Sequence, residues 1–167
     1  MRFRIAAAAI LGTILLACFA TPALAQPGPQ VRIAGGLSFL HDGNAEQTAK
    51  GVAADVAFNF VTGKVSVGAV GDVGFNSFDG CTEKSFAAGG RVTGNTPKVS
   101  PFGQFLIGRA SCGGGGSETI WQPGFGVDVR INDVLDFRGQ VDIRSLRFED
   151  GSLNEQRFWF GVSIKIG

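Results

Sequence analysis

The residues best placed to do chemistry are charged and spaced in twos. Asp128 and Arg130, then Arg138, Asp142 and Arg144, follow one another at intervals of two or more even steps. In an extended strand that spacing puts side chains on one face. The short link Asn132–Val134 separates the two groups, so they are expected to face each other across a hairpin. Opposite charges arranged in this way form ion pairs, and the chemistry is structural. A narrow gated pore through the same charges is the sharper alternative.

Groups that catalysis would need are sparse. His41 is the single histidine, and Asp42 and Glu46 beside it lack the spacing of a tight metal site. A lipid hydrolase needs a nucleophile and a base in contact, yet the nearest upstream hydroxyl, Ser38, falls on the opposite face of the strand from His41. The run from Cys112 to Ser117 holds four consecutive glycines. It lacks the following lysine of a phosphate-cradling loop and reads as an exposed loop. No catalytic residue, cofactor or metal is expected.

The elements that must position these residues begin after an export signal. Arg2 and Arg4 precede an apolar stretch from Ile5 to Ala20, followed by Thr-Pro-Ala-Leu-Ala-Gln. This order of charge, apolar run and small residues is that of a secretory signal peptide. Residues 1–25 are expected to be removed between Ala25 and Gln26, leaving 26–167 as one domain. The competing site is Leu15-Leu16-Ala17-Cys18, which would leave Cys18 lipidated. Past the signal only Cys81 and Cys112 remain, and in an exported protein an even pair favours a disulfide. The formal charge of +1 over 167 residues leaves no basic footprint for nucleic acid.

From Gln30 onward apolar and polar residues alternate with period two, the mark of strands with one apolar face. Eight such runs follow, beginning with Val31, Ile33, Leu37 and Phe39 and ending with Phe158, Phe160, Val162, Ile164 and Ile166. The fifth run is the least regular, because Phe102 and Leu106 sit opposite Val99, Phe105 and Ile107. The intervening segments alternate long and short: His41–Ala49, Val61–Gly63, Asn76–Lys84, Gly94–Pro97, Ser111–Glu118, Asn132–Val134 and Ser145–Glu155. Short turns on one side and longer loops on the other belong to outer-membrane barrels. Both termini are then periplasmic, and Cys81 and Cys112 lie in two external loops. Pro101 and Pro123 are expected at strand rims, where a missing donor is tolerated.

Alternation alone does not say which face points inward, and a lipocalin-like soluble barrel that binds a ligand also has eight strands. Charge placement favours lipid outside. The apolar faces carry Arg109 alone, whereas the opposite faces carry Arg32, Asp55, Asp72, Arg91, Asp128, Arg130, Asp136, Arg138, Asp142, Arg144, Arg157 and Lys165. Their neighbours are mostly Gly, Ala and Ser, as a lumen just wide enough for side chains requires. The 26 glycines thus act as spacers for arginine. The expected fold is all-β, an eight-stranded antiparallel up-and-down transmembrane β-barrel.

The stretch Lys98-Val-Ser-Pro-Phe-Gly-Gln-Phe-Leu-Ile-Gly108 resembles a strand opening of the small outer-membrane β-barrel proteins of the OmpA/OmpX-like kind. Gly124–Arg130 with Leu135–Arg144 is similar to that family's closing hairpin, and Gly161–Ile166 to its C-terminal assembly signal. The resemblance implies a bacterial outer-membrane location and a structural or surface-exposed role without catalysis. It implies outer-membrane lipid, periplasmic chaperones and the barrel-assembly machinery as partners, and a monomer is expected. The chain departs from the family in having no tyrosine among its aromatic residues.

Overall fold

The computed structural model describes residues 29–42, 47–78, 80–113, 116–148 and 151–166. The signal peptide, the cleavage pair Ala25 and Gln26, Cys18 and Glu46 lie outside them. Eight strands form: β1 Gln30–Asp42, β2 Gln47–Val61, β3 Val65–Phe78, β4 Cys81–Gly94, β5 Val99–Cys112, β6 Ser117–Arg130, β7 Leu135–Phe148 and β8 Gly151–Ile166. Each pairs antiparallel with its sequence neighbour, and β1 pairs with β8, so the sheet closes.

The strands form where the alternation lies, with the apolar set facing outward. Leu37, Phe86 and Phe125 are 60%, 61% and 61% exposed, whereas Arg138, Arg144 and Arg157 are 0% exposed. Apolar bands such as Val52–Phe60 and Phe158–Ile166 run about nine residues. At ~3.3 Å rise per residue and ~40° tilt they stand roughly 20–25 Å tall, the height of a hydrocarbon layer as barrels span it. The irregular fifth run resolves simply, because Phe102 and Leu106 are lumen residues, 5% and 0% exposed.

The expected alternation of long and short connections does not form. All seven connections are two to four residues long. The described residues of the polar segments are largely strand: His41 pairs with Thr48, Phe78 with Cys81, Ser111 with Ser117, and Phe148 with Gly151. Ladder hydrogen bonds need backbone, not apolar side chains. Ala49, Ala110, Ile120 and Leu146 still pack inside at this level, so the hairpins continue past the apolar band. The asymmetry between the two ends survives in another form. At one end the outward residues are apolar up to the turns; at the other a polar collar rises above the band.

Two local features were misjudged or unseen in the sequence. Pro101 does lie near the start of β5, but Pro123 is in the middle of β6 rather than at a rim. The β6–β7 ladder runs Trp121↔Ser145, lapses at Gln122 and Pro123, and resumes at Gly124↔Asp142 without a register shift. The missing donor is accommodated by a gap in one ladder. At the closing seam Gly36 faces Gly161, and a Cβ on either would overlap the other strand's backbone. Only glycine permits that approach.

Candidate functional site

Inside the barrel the charges form one connected chain of contacts. Lys165 Nζ donates to Asp136 (2.8 Å), whose other oxygen takes Arg32 (3.3 Å). Arg32 also reaches Asp128 at 3.0 Å. Asp128 accepts two hydrogen bonds from Arg138, at 2.6 and 2.8 Å. Asp55 Oδ2 then bridges Arg138 (2.6 Å) and Arg91 (2.5 Å). From Arg91 the path continues through Gln104 to Asp142 and on to Arg157 and Asp72. Five cations and five carboxylates therefore neutralise one another. Buried ions are tolerable only when paired and hydrogen-bonded in this manner.

Phe102 sits at the centre of this network. Arg91 and Arg138 lie over its ring at 4.5 and 4.7 Å, and Asp55 joins the same two guanidiniums on their polar edge. Cation–π contact of this kind strengthens when desolvated. Trp159 is also inward, 0% exposed, packed with Ala34 and Ala53, with Arg138 at 5.7 Å from its ring. Together these side chains fill the lumen through its middle.

Asp128 and Arg138 face each other across β6–β7 and pair directly. Asp142 finds its cation on β8, where Arg157 Nη2 is 2.8 Å away. Arg144 lies in a separate group nearer the collar. It is within ion-pair distance of Glu83 (2.8 Å) and Glu155 (3.0 Å), though neither contact has hydrogen-bond alignment. Arg130 is a correction. It has the inward parity but lies at the last position of β6, exposed beyond the lumen. A strand end carries its inward side chain past the filled section.

Sequence reasoning missed Gln104, whose Nε2 reaches Asp142 two strands away, and Glu155, the register partner of Arg144 on β8, which the polar segment had placed in a loop. It put Asp72 on the inward face but could not name Arg157, 85 positions away, as its partner. Period two assigns a face but no height, and only closure sets which residues meet.

Cys81 and Cys112 form a disulfide with Cα atoms 5.8 Å apart. They are the first residue of β4 and the last of β5, so the bridge ties strand ends rather than loop tips. At the collar, His41 Nδ1 lies 3.1 Å from Thr48 Oγ1. Asp42 takes the other face of β1. Among the described residues no group of three metal-ligating side chains converges.

No protein-family profile and no curated protein matches the sequence. Solved structures do match. Neisserial surface protein A superposes with a TM-score of 0.61 at 13% identity, over 86% of this chain and 99% of that one. Ail, the attachment invasion locus protein of Yersinia pestis, gives 0.57 at 12% identity over 83% and 99%. The N-terminal β-barrel domain of Pseudomonas aeruginosa OprF gives 0.58 at 14% identity over 85% and 100%. At these identities the likeness is one of fold, and the fold of this chain is that of the small eight-stranded outer-membrane β-barrels.

Proposed function

We propose that the protein is exported, cleaved between Ala25 and Gln26, and inserted into a bacterial outer membrane as a closed, structural, surface-exposed barrel without catalytic activity. The observation that carries this reading is the sorting of the wall. A band of exposed apolar side chains of membrane height surrounds a lumen of paired charges. A soluble ligand-binding barrel would need the reverse, with its aromatics inside. The collar end, where hairpins extend past the band, then faces outward, by the usual asymmetry of such barrels, and both termini are periplasmic. Outer-membrane lipid is the immediate partner; chaperones and the barrel-assembly machinery deliver the chain.

The non-catalytic reading is supported by the collar. His41 touches Thr48, but every carboxylate in the described strands has the inward parity. Among the described residues the outward strand positions therefore hold no acid to orient the imidazole, as an activated nucleophile requires. The continuous contacts among Arg91, Phe102 and Arg138 argue for a plug over a pore.

The test is cell fractionation with gel mobility compared before and after boiling, and amino-terminal sequencing of the mature protein. Outer-membrane recovery, a heat-dependent mobility shift and an amino terminus at Gln26 are expected. A soluble periplasmic product without a shift overturns the reading.

A further inference from the structure

The outward wall is sorted by charge sign as well as by polarity. Among the described strand residues, every aspartate and glutamate (Asp42, Asp55, Asp72, Glu83, Glu118, Asp128, Asp136, Asp142 and Glu155) occupies an inward position. The outward charged positions are all basic: Lys50, Lys84, Arg109 and Arg147. The cations of the lumen network are all in ion pairs, whereas none of these four is in one.

The four also share the collar. Lys50, Lys84 and Arg109 are the first outward residues past the apolar band on their strands, Arg147 follows one outward position later, after Ser145, and each stands beside an aromatic residue near the band's edge. Lys50 is paired in register with Phe39, Lys84 with Phe75, and Arg109 with Phe86. Arg147 lies 5.7 Å from the ring of Trp121. The density is greatest over β4–β7. Arg109 and Arg147 flank Thr119 in one row, and Lys84 lies diagonally above Arg109 beside Ser111. Strands ~4.8 Å apart put the two arginines roughly 10 Å from each other, with hydroxyl groups between.

We infer that the collar over β4–β7 is a seat for the phosphate groups of an anionic lipid in the surrounding leaflet. Unpaired cations at this height would lie level with lipid headgroups, while the aromatics below meet acyl chains. An outward carboxylate would repel the same headgroups, and the described strands contain none. A lipid satisfies both parts of the surface; a free phosphate ion would use only the cations. The inference rests on the membrane reading above and goes on to name the lipid chemistry.

The test uses the full mature protein in phosphatidylcholine vesicles with and without lipid A, a glycolipid bearing phosphates. Retention of lipid A is followed by native mass spectrometry, and stability by thermal unfolding. The triple variant K84Q/R109Q/R147Q is compared with K64Q/K98Q/R130Q, which removes cations from the opposite end. Each headgroup contact by a surface cation contributes roughly a fivefold effect, so the first variant should retain lipid A about a hundredfold more weakly. The second should stay near wild type. Equal retention by the first variant, equal loss in both, or equal stabilisation by inorganic phosphate alone overturns the inference. Heat-dependent gel mobility is measured on the same samples. Its absence in wild type would count against the membrane reading, and its presence without lipid A preference would count against this inference alone.

Discussion

Replacing Asp55 by Asn tests whether the lumen charges hold the barrel together. Asp55 is 1% exposed, and its Oδ2 serves Arg91 at 2.5 Å and Arg138 at 2.6 Å. The two guanidiniums are unequal in what they keep. Arg138 retains Asp128 through two hydrogen bonds, but Arg91 has no other ion pair and keeps only the neutral Gln104. D55N therefore leaves a buried like-charged pair beside Phe102 with one carboxylate removed. Orphaning one member of a buried ion pair costs about 3–5 kcal/mol, and the cost should fall mainly on Arg91. The double variant D55N/R91Q removes the orphaned charge and should recover at least half of the loss. Urea unfolding in lipid vesicles measures both, with the fluorescence of buried Trp159 beside Arg138 as the probe. The unfolding midpoint should fall in D55N and rise again in the double variant, at constant slope. A D55N midpoint within about 0.5 kcal/mol of wild type, the range of an ordinary surface change, would refute the reasoning. So would an R91Q change that deepens the loss.

Further outcomes follow from other parts of the wall. G161A forces a Cβ into the backbone of β1 at the closing seam; overpacking of this kind costs about 1–3 kcal/mol and should slow refolding into vesicles, whereas G71A, where a Cβ meets nothing within 4 Å, should be near neutral. Replacing both Cys81 and Cys112 by Ser removes a cross-link over 31 positions. This should lower stability by about 2–4 kcal/mol and admit protease at the β3–β4 and β5–β6 hairpins. In planar bilayers neither wild type nor R138A should give discrete conductance steps, because Arg91, Phe102 and Gln104 remain in the section that Arg138 leaves. Steps in R138A would revive the gated-pore reading.

Much of the architecture was legible because a barrel wall is a one-dimensional code. Period-two alternation assigned all eight runs and put Arg138 and Asp128 on one face, since successive side chains in a strand must point oppositely. Phe102 and Leu106, the apparent irregularity, were already on the inward face by parity. What failed were inferences that needed extent rather than phase. Polar composition suggested long loops at His41–Ala49 and Ser145–Glu155, yet His41 and Asp42 pair with Thr48 and Gln47, and Ser145–Phe148 with Gly151–Asn154, as strand, because backbone hydrogen bonding is indifferent to which side chains it carries. Arg130 had the correct parity and the wrong height. Pro123 sat inside a strand because one neighbouring ladder could lapse around it.

By itself, then, the sequence determined the strands, the sidedness of the wall and the pairing of the two cysteines as the only ones past Cys18. These follow from local periodicity and residue type. Only the tertiary structure decided which charges meet. Asp55 lies between Arg91 and Arg138, 36 and 83 positions away, and Arg157 reaches Asp72 over 85. Those contacts depend on curvature and register around a closed cylinder, which no single strand's pattern contains. The same closure gathers Lys84, Arg109 and Arg147 into one part of the collar, where separate strands had presented three unconnected cations.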